Sequence, residues 1–193
     1  MAIYSVDKDY WGNEEYHIAK GFIGSSDDKK IWELSEPFKL KDLLKSKFSD
    51  SSDRDQFRRI IRYLKRWKDY NFPSTILGRP TGIALTACCY NIFAVKKGYN
   101  YYSYTYQYND LIALQNVVNR MIRMFSWDDQ ISVKLPVKPY NDLFEKMTNN
   151  QMKELKSKLV NLSQILAIAS QEYYPYRACD SLRKVFGSDF PSS

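Results

Sequence analysis

Histidine is almost missing from this 193-residue chain, His17 being the only one. A single imidazole excludes Ser-His and Cys-His nucleophile pairs and most zinc enzymes, unless that one residue carries them. Cysteine is also scarce: Cys88 and Cys89 are adjacent and Cys179 stands alone. That arrangement makes neither a disulfide framework nor a zinc-ligand spacing, and it suits a reducing cytoplasm, the expected compartment. Long apolar runs are missing too. The longest, Ile83 to Val95, is broken by Thr86 and Asn91 and falls short of the roughly 20 residues that span a bilayer, so no membrane crossing is expected. The N-terminus shows no basic region followed by an apolar run and a small-residue cleavage site, so no secretory signal is expected either. There is no internal repeat and no low-complexity tail.

What is present describes a folding chain with an excess of cations. Hydrophobic residues make up 44% and charged residues 26%, which supports a core rather than disorder. The length suits one domain, or one domain with a small extension. A net charge of +7 favours an anionic partner such as a nucleotide, a nucleic acid or an acidic protein surface.

The N-terminal pattern is β. Ala2 to Asp7 and Glu14 to Lys20 flank the turn chemistry of Trp11-Gly12-Asn13, predicting a hairpin. Gly24 to Lys30 reads as a surface loop. After Pro37 the pattern turns helical. Helices are expected over Leu40 to Phe48 and from Ser52, with Asp55 as a capping-box partner, to about Tyr70. Pro80 suits the first position of a buried helix, Thr81 to Val95. Further helices are expected over Asp110 to Ser126, from a Thr148/Gln151 capping box to about Glu172, and over Arg177 to Phe186, where Gly187 provides the stop. The resulting expectation is a mainly α, α+β fold: residues 1–37 as a β-hairpin and loop, and residues 38–193 as a helical lobe.

Four features could carry chemistry. The helix from Ser52 holds seven cations between Arg54 and Lys68, while Phe57, Ile60, Ile61, Leu64 and Trp67 recur at helical spacing. Arginine and lysine on such a face hold phosphates, bidentately or as a point charge; a solvated surface is the plainer reading. Gly78-Arg79-Pro80-Thr81-Gly82 places a hydroxyl, glycines and free amides at a helix start, a geometry that accepts anions and also simply begins many buried helices. Asp7 and Asp9 form an Asp-x-Asp that can hold magnesium or serve the adjacent turn, and Ser26-Asp27-Asp28 is a weaker version. Six tyrosines between Gly98 and Tyr108 are suited to stacking on bases or, as the favoured reading, to packing a long connection onto the bundle.

Taken in order, several blocks resemble one family. They are Ala2-Ile3-Tyr4, Tyr16-His17-Ile18-Ala19-Lys20-Gly21, Trp32-Glu33-Leu34-Ser35-Glu36-Pro37, Arg62-Tyr63-Leu64-Lys65-Arg66-Trp67 and Ile83-Ala84-Leu85-Thr86. Leu135-Pro136-Val137, Asn141-Asp142-Leu143-Phe144 and Val185-Phe186-Gly187-Ser188-Asp189-Phe190-Pro191 continue the series. The set resembles the bacterial relatives of cyclic GMP-AMP synthase and oligoadenylate synthetase, nucleotidyltransferases that make cyclic oligonucleotide signals in anti-phage defence.

The resemblance implies a C-terminal helical lobe with a remnant of a polymerase-β-like sheet, residues 1–37. It implies that the Gly-Ser loop and the metal-binding carboxylates of the family precede Met1, so magnesium belongs to the full-length family and none is expected on this chain alone. Catalysis by the isolated chain is then not expected. Lys65 matches the family lysine that reaches nucleotide phosphates. Thr81 lies near a small hydroxyl residue of similar role, with Gly82 as the other alignment, and Tyr4 is a candidate for lining the base pocket. Arg62 is added from the helix face rather than from the resemblance. The partners implied are nucleoside triphosphates, held jointly with a missing N-terminal half, and self-association through an exposed first strand is expected. The alternative is a freestanding basic module that binds nucleotide, RNA or an acidic protein.

Overall fold

A computed structural model describes residues 3–8, 10–20, 26, 30–75 and 78–192. The chain divides into two compact units, Met1–Lys47 with Lys134–Asn141, and Phe48–Val133 with Asp142–Ser193.

In the first unit, β1 (Tyr4–Lys8), β2 (Glu14–Lys20) and β3 (Ile31–Leu34) form an antiparallel sheet in the order β1-β2-β3. The hairpin register pairs Tyr4 with Ile18 and Val6 with Tyr16, and Gly12 takes the left-handed φ of +81° that the turn requires. Strand β3 was not anticipated; Ile31 and Trp32 extend the sheet beyond the hairpin, with Ile18 opposite Glu33. Most of the expected loop, Gly24 to Lys30, lies outside the described residues. Helix α1 runs Pro37–Ser46, starting three residues before the expected Leu40, because proline fits the first helical turn, where its missing amide has no partner to lose. Residues 134–141 join this unit through polar contacts. Lys138 donates its backbone N–H to Glu36 Oε2 at 3.1 Å, and Asn141 Nδ2 donates to Glu33 Oε1 at 3.2 Å.

The second unit is helical: α2 (Ser51–Asn71), α3 (Gly82–Ile92), α4 (Asp110–Ile122), α5 (Asn149–Gln171) and α6 (Pro175–Phe186), with a small hairpin, β4 (Lys97–Asn100) and β5 (Thr105–Tyr108). Helix α2 buries Phe57, Ile60, Ile61, Leu64 and Trp67, the stripe read from its spacing. Its cap differs from expectation. Asp50, not Ser52, accepts the free amides, from Ser52 N at 2.8 Å and Asp53 N at 2.9 Å. A carboxylate beside two amides and a helix N-terminus outcompetes a hydroxyl, and those bonds hold the Asp50 carboxyl below its usual range. In α5 the Thr148/Gln151 capping box is present, and Met152, Leu155, Leu159, Leu162, Leu166 and Ala169 are buried as the spacing implied. Gly187 ends α6 at φ +92°, where a Cβ would meet Tyr70 Cδ2 at 2.9 Å.

Gln56, Lys68 and Thr86 are the buried polar residues among those described, and Gln56 organises the core. Gln56, fully buried, donates Nε2 to the Lys96 carbonyl at 2.9 Å and to Asp110 Oδ1 at 3.2 Å, and accepts the Lys96 N–H at 3.0 Å. It thereby fixes where the chain leaves α3 for β4 and where α4 begins. Gln56→Leu takes the acceptor from the Lys96 N–H, whose carbonyl keeps the Asn109 N–H, and one hydrogen bond from Asp110, so we expect a loss of about 1 to 2 kcal/mol in urea unfolding. A loss under about 0.5 kcal/mol would show that water replaces the amide.

The buried Cys88 thiol gives a pH signature. Burial pushes it up from 9.0 to about 12, so the folded chain keeps a proton that the unfolded chain releases. The resulting stability is intact below pH 9 and is lost as pH rises toward about 12. Cys88→Ala should therefore show a shallower decline of stability above pH 9 than the parent chain, and identical slopes would contradict this assignment.

Candidate functional site

The seven cations of α2 do not form one free face. Arg54 Nη1 donates to the Phe48 carbonyl at 3.2 Å, and Arg58 Nη1 lies 3.4 Å from Asp55. Arg59 makes a bidentate pair with Asp110, Nε to Oδ2 at 2.6 Å and Nη2 to Oδ1 at 3.0 Å, which raises its pKa further. Arg66 ties α2 to the segment after α6, through the Phe186 carbonyl and Asp189, both at 2.9 Å. Lys68 is buried and pairs with Asp69 at 2.6 Å. Among the described residues, that leaves Arg62 and Lys65 exposed and with no ion pair.

Lys65 runs across the start of α3. A Cβ built on Gly82 would lie 3.3 Å from Lys65 Cε and 3.7 Å from Lys65 Cδ, so the glycine leaves room for the lysine stem. Thr81 is the N-cap, its Oγ1 accepting from Ala84 N at 3.2 Å. The expected start at Pro80 is corrected by this: threonine caps through its side chain, so the helical turn begins one residue after it. The amides of Gly82 and Ile83 have no intrahelical acceptor, and the first turn holds no acidic residue. The Thr81 hydroxyl can still donate its own hydrogen. An ammonium, a hydroxyl and two amides at the positive end of a helix dipole thus suit a phosphate group. Arg62, one turn earlier on α2, carries a second cation on the exposed side.

Tyr4 belongs to the first unit, on edge strand β1, half exposed beside Ile3 and Val6. Sequence reasoning grouped it with Lys65 and Thr81; the structure assigns it to a separate compact body. Of the candidate Asp-x-Asp, Asp7 lies on β1 with His17 Nδ1 3.3 Å from its Oδ2, although His17 Nδ1 has no hydrogen-bond partner of good geometry. Asp9 and the pair Asp27-Asp28 lie outside the described residues. Among the described residues, no three His, Cys, Asp or Glu side chains converge to hold a metal ion, so the described carboxylates do not fit a magnesium site. An apolar cleft of about 170 Å³ lined by Leu111, Leu114, Leu182 and Phe186 carries one carboxylate, Asp110, already held by Arg59. No helix among the described residues is long and apolar enough to cross a membrane.

The tyrosine-rich stretch was misread. It forms β4 and β5, and Tyr101, Tyr102, Tyr104 and Tyr106 are 77%, 97%, 79% and 71% exposed, so they do not pack the connection onto the bundle. The signal was available. Tyrosines at 99 and 101 and at 104, 106 and 108 keep a period of two that Tyr102 alone interrupts, the mark of two short strands around a turn.

No family model matches the sequence, and no curated protein matches it. Solved structures do. Vibrio cholerae DncV in its GTP-bound form superposes over 98% of this chain and 46% of its own, with TM-score 0.66 and 18% identity. Vibrio cholerae DncV cyclic AMP-GMP synthase, described as a prokaryotic cGAS homolog, matches over 91% of this chain and 42% of its own, with TM-score 0.62 and 20% identity. Escherichia coli DncV bound to 3'-deoxy GTP matches over 93% and 45%, with TM-score 0.61 and 17% identity. The chain therefore has an α+β, DncV-like fold and spans less than half the length of the proteins that share it.

The free and the engaged cations should separate on mutation. Arg59→Met breaks a bidentate pair and leaves Asp110 uncompensated, so a loss of about 1 to 3 kcal/mol is expected. Lys65→Met should stay within about 0.5 kcal/mol of the parent chain. Equal losses in denaturant melts would mean that Lys65 is structural after all.

Proposed function

We propose that this chain is the helical, C-terminal portion of a cyclic-oligonucleotide synthase of bacterial anti-phage signalling, and that it supplies the side of the nucleotide pocket that holds the triphosphate. The observation that carries this reading is the pairing of Lys65 with the start of α3. Among seven cations on α2, the one laid along Gly82 beside the Thr81 cap has no protein carboxylate to satisfy it. Nucleotide binding by the DncV proteins, whose fold the chain shares, supports the same assignment.

In this reading Lys65 neutralises phosphate charge, the Thr81 hydroxyl and the first amides of α3 orient the phosphate oxygens, and Arg62 adds a second cation at the rim. The family resemblance alone assigns Tyr4, in the first unit, to the base side. The nucleotidyltransferase part of this reading is the sheet within residues 1–37, with which α1 and residues 134–141 form one compact unit, and the rest of residues 38–193 is the helical lobe. Magnesium, where carboxylates of the complete enzyme hold it, would supply charge neutralisation at the phosphoryl group. What these residues contribute is positioning, the larger part of phosphoryl-transfer catalysis apart from the metal. Strand β1 presents an open edge with Ile3, Tyr4 and Val6 exposed, and it pairs with the rest of the sheet or, without it, with another copy. The setting is the bacterial cytoplasm. A general polyanion-binding face is less well supported, because five of the seven α2 cations already have protein partners.

Calorimetric titration with ATP and GTP at two salt concentrations tests the reading. Binding should weaken with salt as phosphate contacts release counterions. Lys65→Ala should weaken it about tenfold, the scale of one charge-assisted hydrogen bond, and Arg62→Ala by less. Affinity unchanged in both variants would remove this site from the nucleotide pocket.

A further inference from the structure

Gly82 opens α3 although nothing in its backbone calls for a glycine. The left-handed glycines among the described residues are Gly12, Gly78 and Gly187, and Gly82 is not one of them. In a helix glycine is the weaker choice, because it loses more conformational freedom on folding than alanine does.

What the glycine does is leave space. Outside its own helix and chain neighbours, the three heavy atoms nearest to a Cβ built at position 82 all belong to Lys65: Cε at 3.3 Å, Cδ at 3.7 Å and Cγ at 3.8 Å. Three successive carbons of the stem therefore lie against the missing side chain. Carbon atoms pack best at about 3.5 to 4.0 Å, so a methyl group there would press on the end of the stem.

The backbone on both sides of this contact is fixed, which leaves the lysine as the part that gives way. The Gly82 carbonyl accepts from the buried Thr86 hydroxyl at 2.8 Å, the Thr81 carbonyl accepts from Leu85 N at 3.2 Å, and Pro80 is buried just before the cap. On α2, Leu64 and Trp67 flank Lys65 and are fully buried. Lys65 itself is exposed, on a flexible four-carbon stem.

Electrostatics alone would not keep the ammonium there. A cation near the N-terminus of a helix is opposed by the helix dipole, and the first turn of α3 holds no acidic residue to offset it. Packing of the stem against Gly82 resists that repulsion. Once an anion arrives the sign reverses, since the ammonium and the dipole then attract the same group.

We propose that Gly82 is a positioning residue of the phosphate site: the space left by its missing side chain holds the Lys65 stem across the first turn of α3, so that the ammonium is in place before the anion binds. This role rests on the assignment of the Lys65 region to the nucleotide triphosphate.

Calorimetric titration of ATP into the full chain tests the two separately. Gly82→Val should weaken binding about fivefold, approaching the loss expected from Lys65→Ala. In the Lys65→Ala background the same valine should change affinity by less than about twofold, because no stem remains to be displaced. Gly82→Ala should give a smaller loss of affinity with a thermal midpoint at or above that of the parent, since alanine reduces the freedom of the unfolded chain. If the valine chain fails to fold, Gly82→Ala carries the double-mutant comparison. Weaker binding in Lys65→Ala but unchanged binding in both Gly82 variants overturns the positioning role alone. So does an equal loss from valine in both backgrounds, which would mean that the side chain blocks ATP directly, or a Gly82→Ala midpoint that falls together with affinity. ATP binding that Lys65→Ala leaves unchanged, or that the parent chain lacks, overturns the nucleotide assignment and the role of Gly82 with it.

Discussion

The second unit depends on a demand placed on α2, which must bury an apolar stripe on three sides of the bundle while carrying seven cations on the rest of its circumference. A buried or half-buried cation without a partner costs several kcal/mol, so the surrounding chain is arranged to supply partners. Asp110 begins α4 where Arg59 can reach both of its oxygens. The chain after α6 turns at Gly187 so that the Phe186 carbonyl and Asp189 meet Arg66. Neutral Gln56 sits at the centre and fastens Lys96 and Asp110 without adding a charge. Tertiary structure here is largely a set of answers to α2.

That arrangement also explains why two cations stand out. Once Arg54, Arg58, Arg59, Arg66 and Lys68 have protein acceptors, a cation without one is no longer a surface commonplace. Lys65 is held along its stem by Gly82, so its position is set by packing and its charge is left over. The Thr81 cap satisfies Ala84 N and leaves the two preceding amides free. Geometry of this kind concentrates positive potential at one end of α3 instead of spreading it along α2.

Sequence reading succeeded where one physical effect dominates. In α5 the buried residues repeat every three or four positions and the capping box has no competitor, so the element and its face were both legible. It failed where two local solutions compete. Asp50 and Ser52 both cap well, and Pro80 and Thr81 both start helices, and the choice depends on backbone φ and ψ that composition does not report. Lys65 and Thr81 were singled out because family resemblance and helix position converged on them. Tyr4 was grouped with them by resemblance, and its place in a different compact unit had no local signal at all.

The tyrosine stretch shows a subtler failure, and it bears on function. Tyrosine suits a strand, a packed connection and a binding surface equally well, so its abundance alone decides nothing. Within the strands the pattern does decide, because Tyr99 before the turn and Tyr106 and Tyr108 after it fall on one face. Burial then separates the remaining readings, since rings that stabilise a fold are covered by it, whereas these are held at the base and left open at the tip. The molecule therefore has two chemically distinct exposed regions. One is a compact positive region where α3 begins, and the other is a nearly uncharged aromatic hairpin, β4–β5; both are attached to α2, at Lys65 and at Gln56.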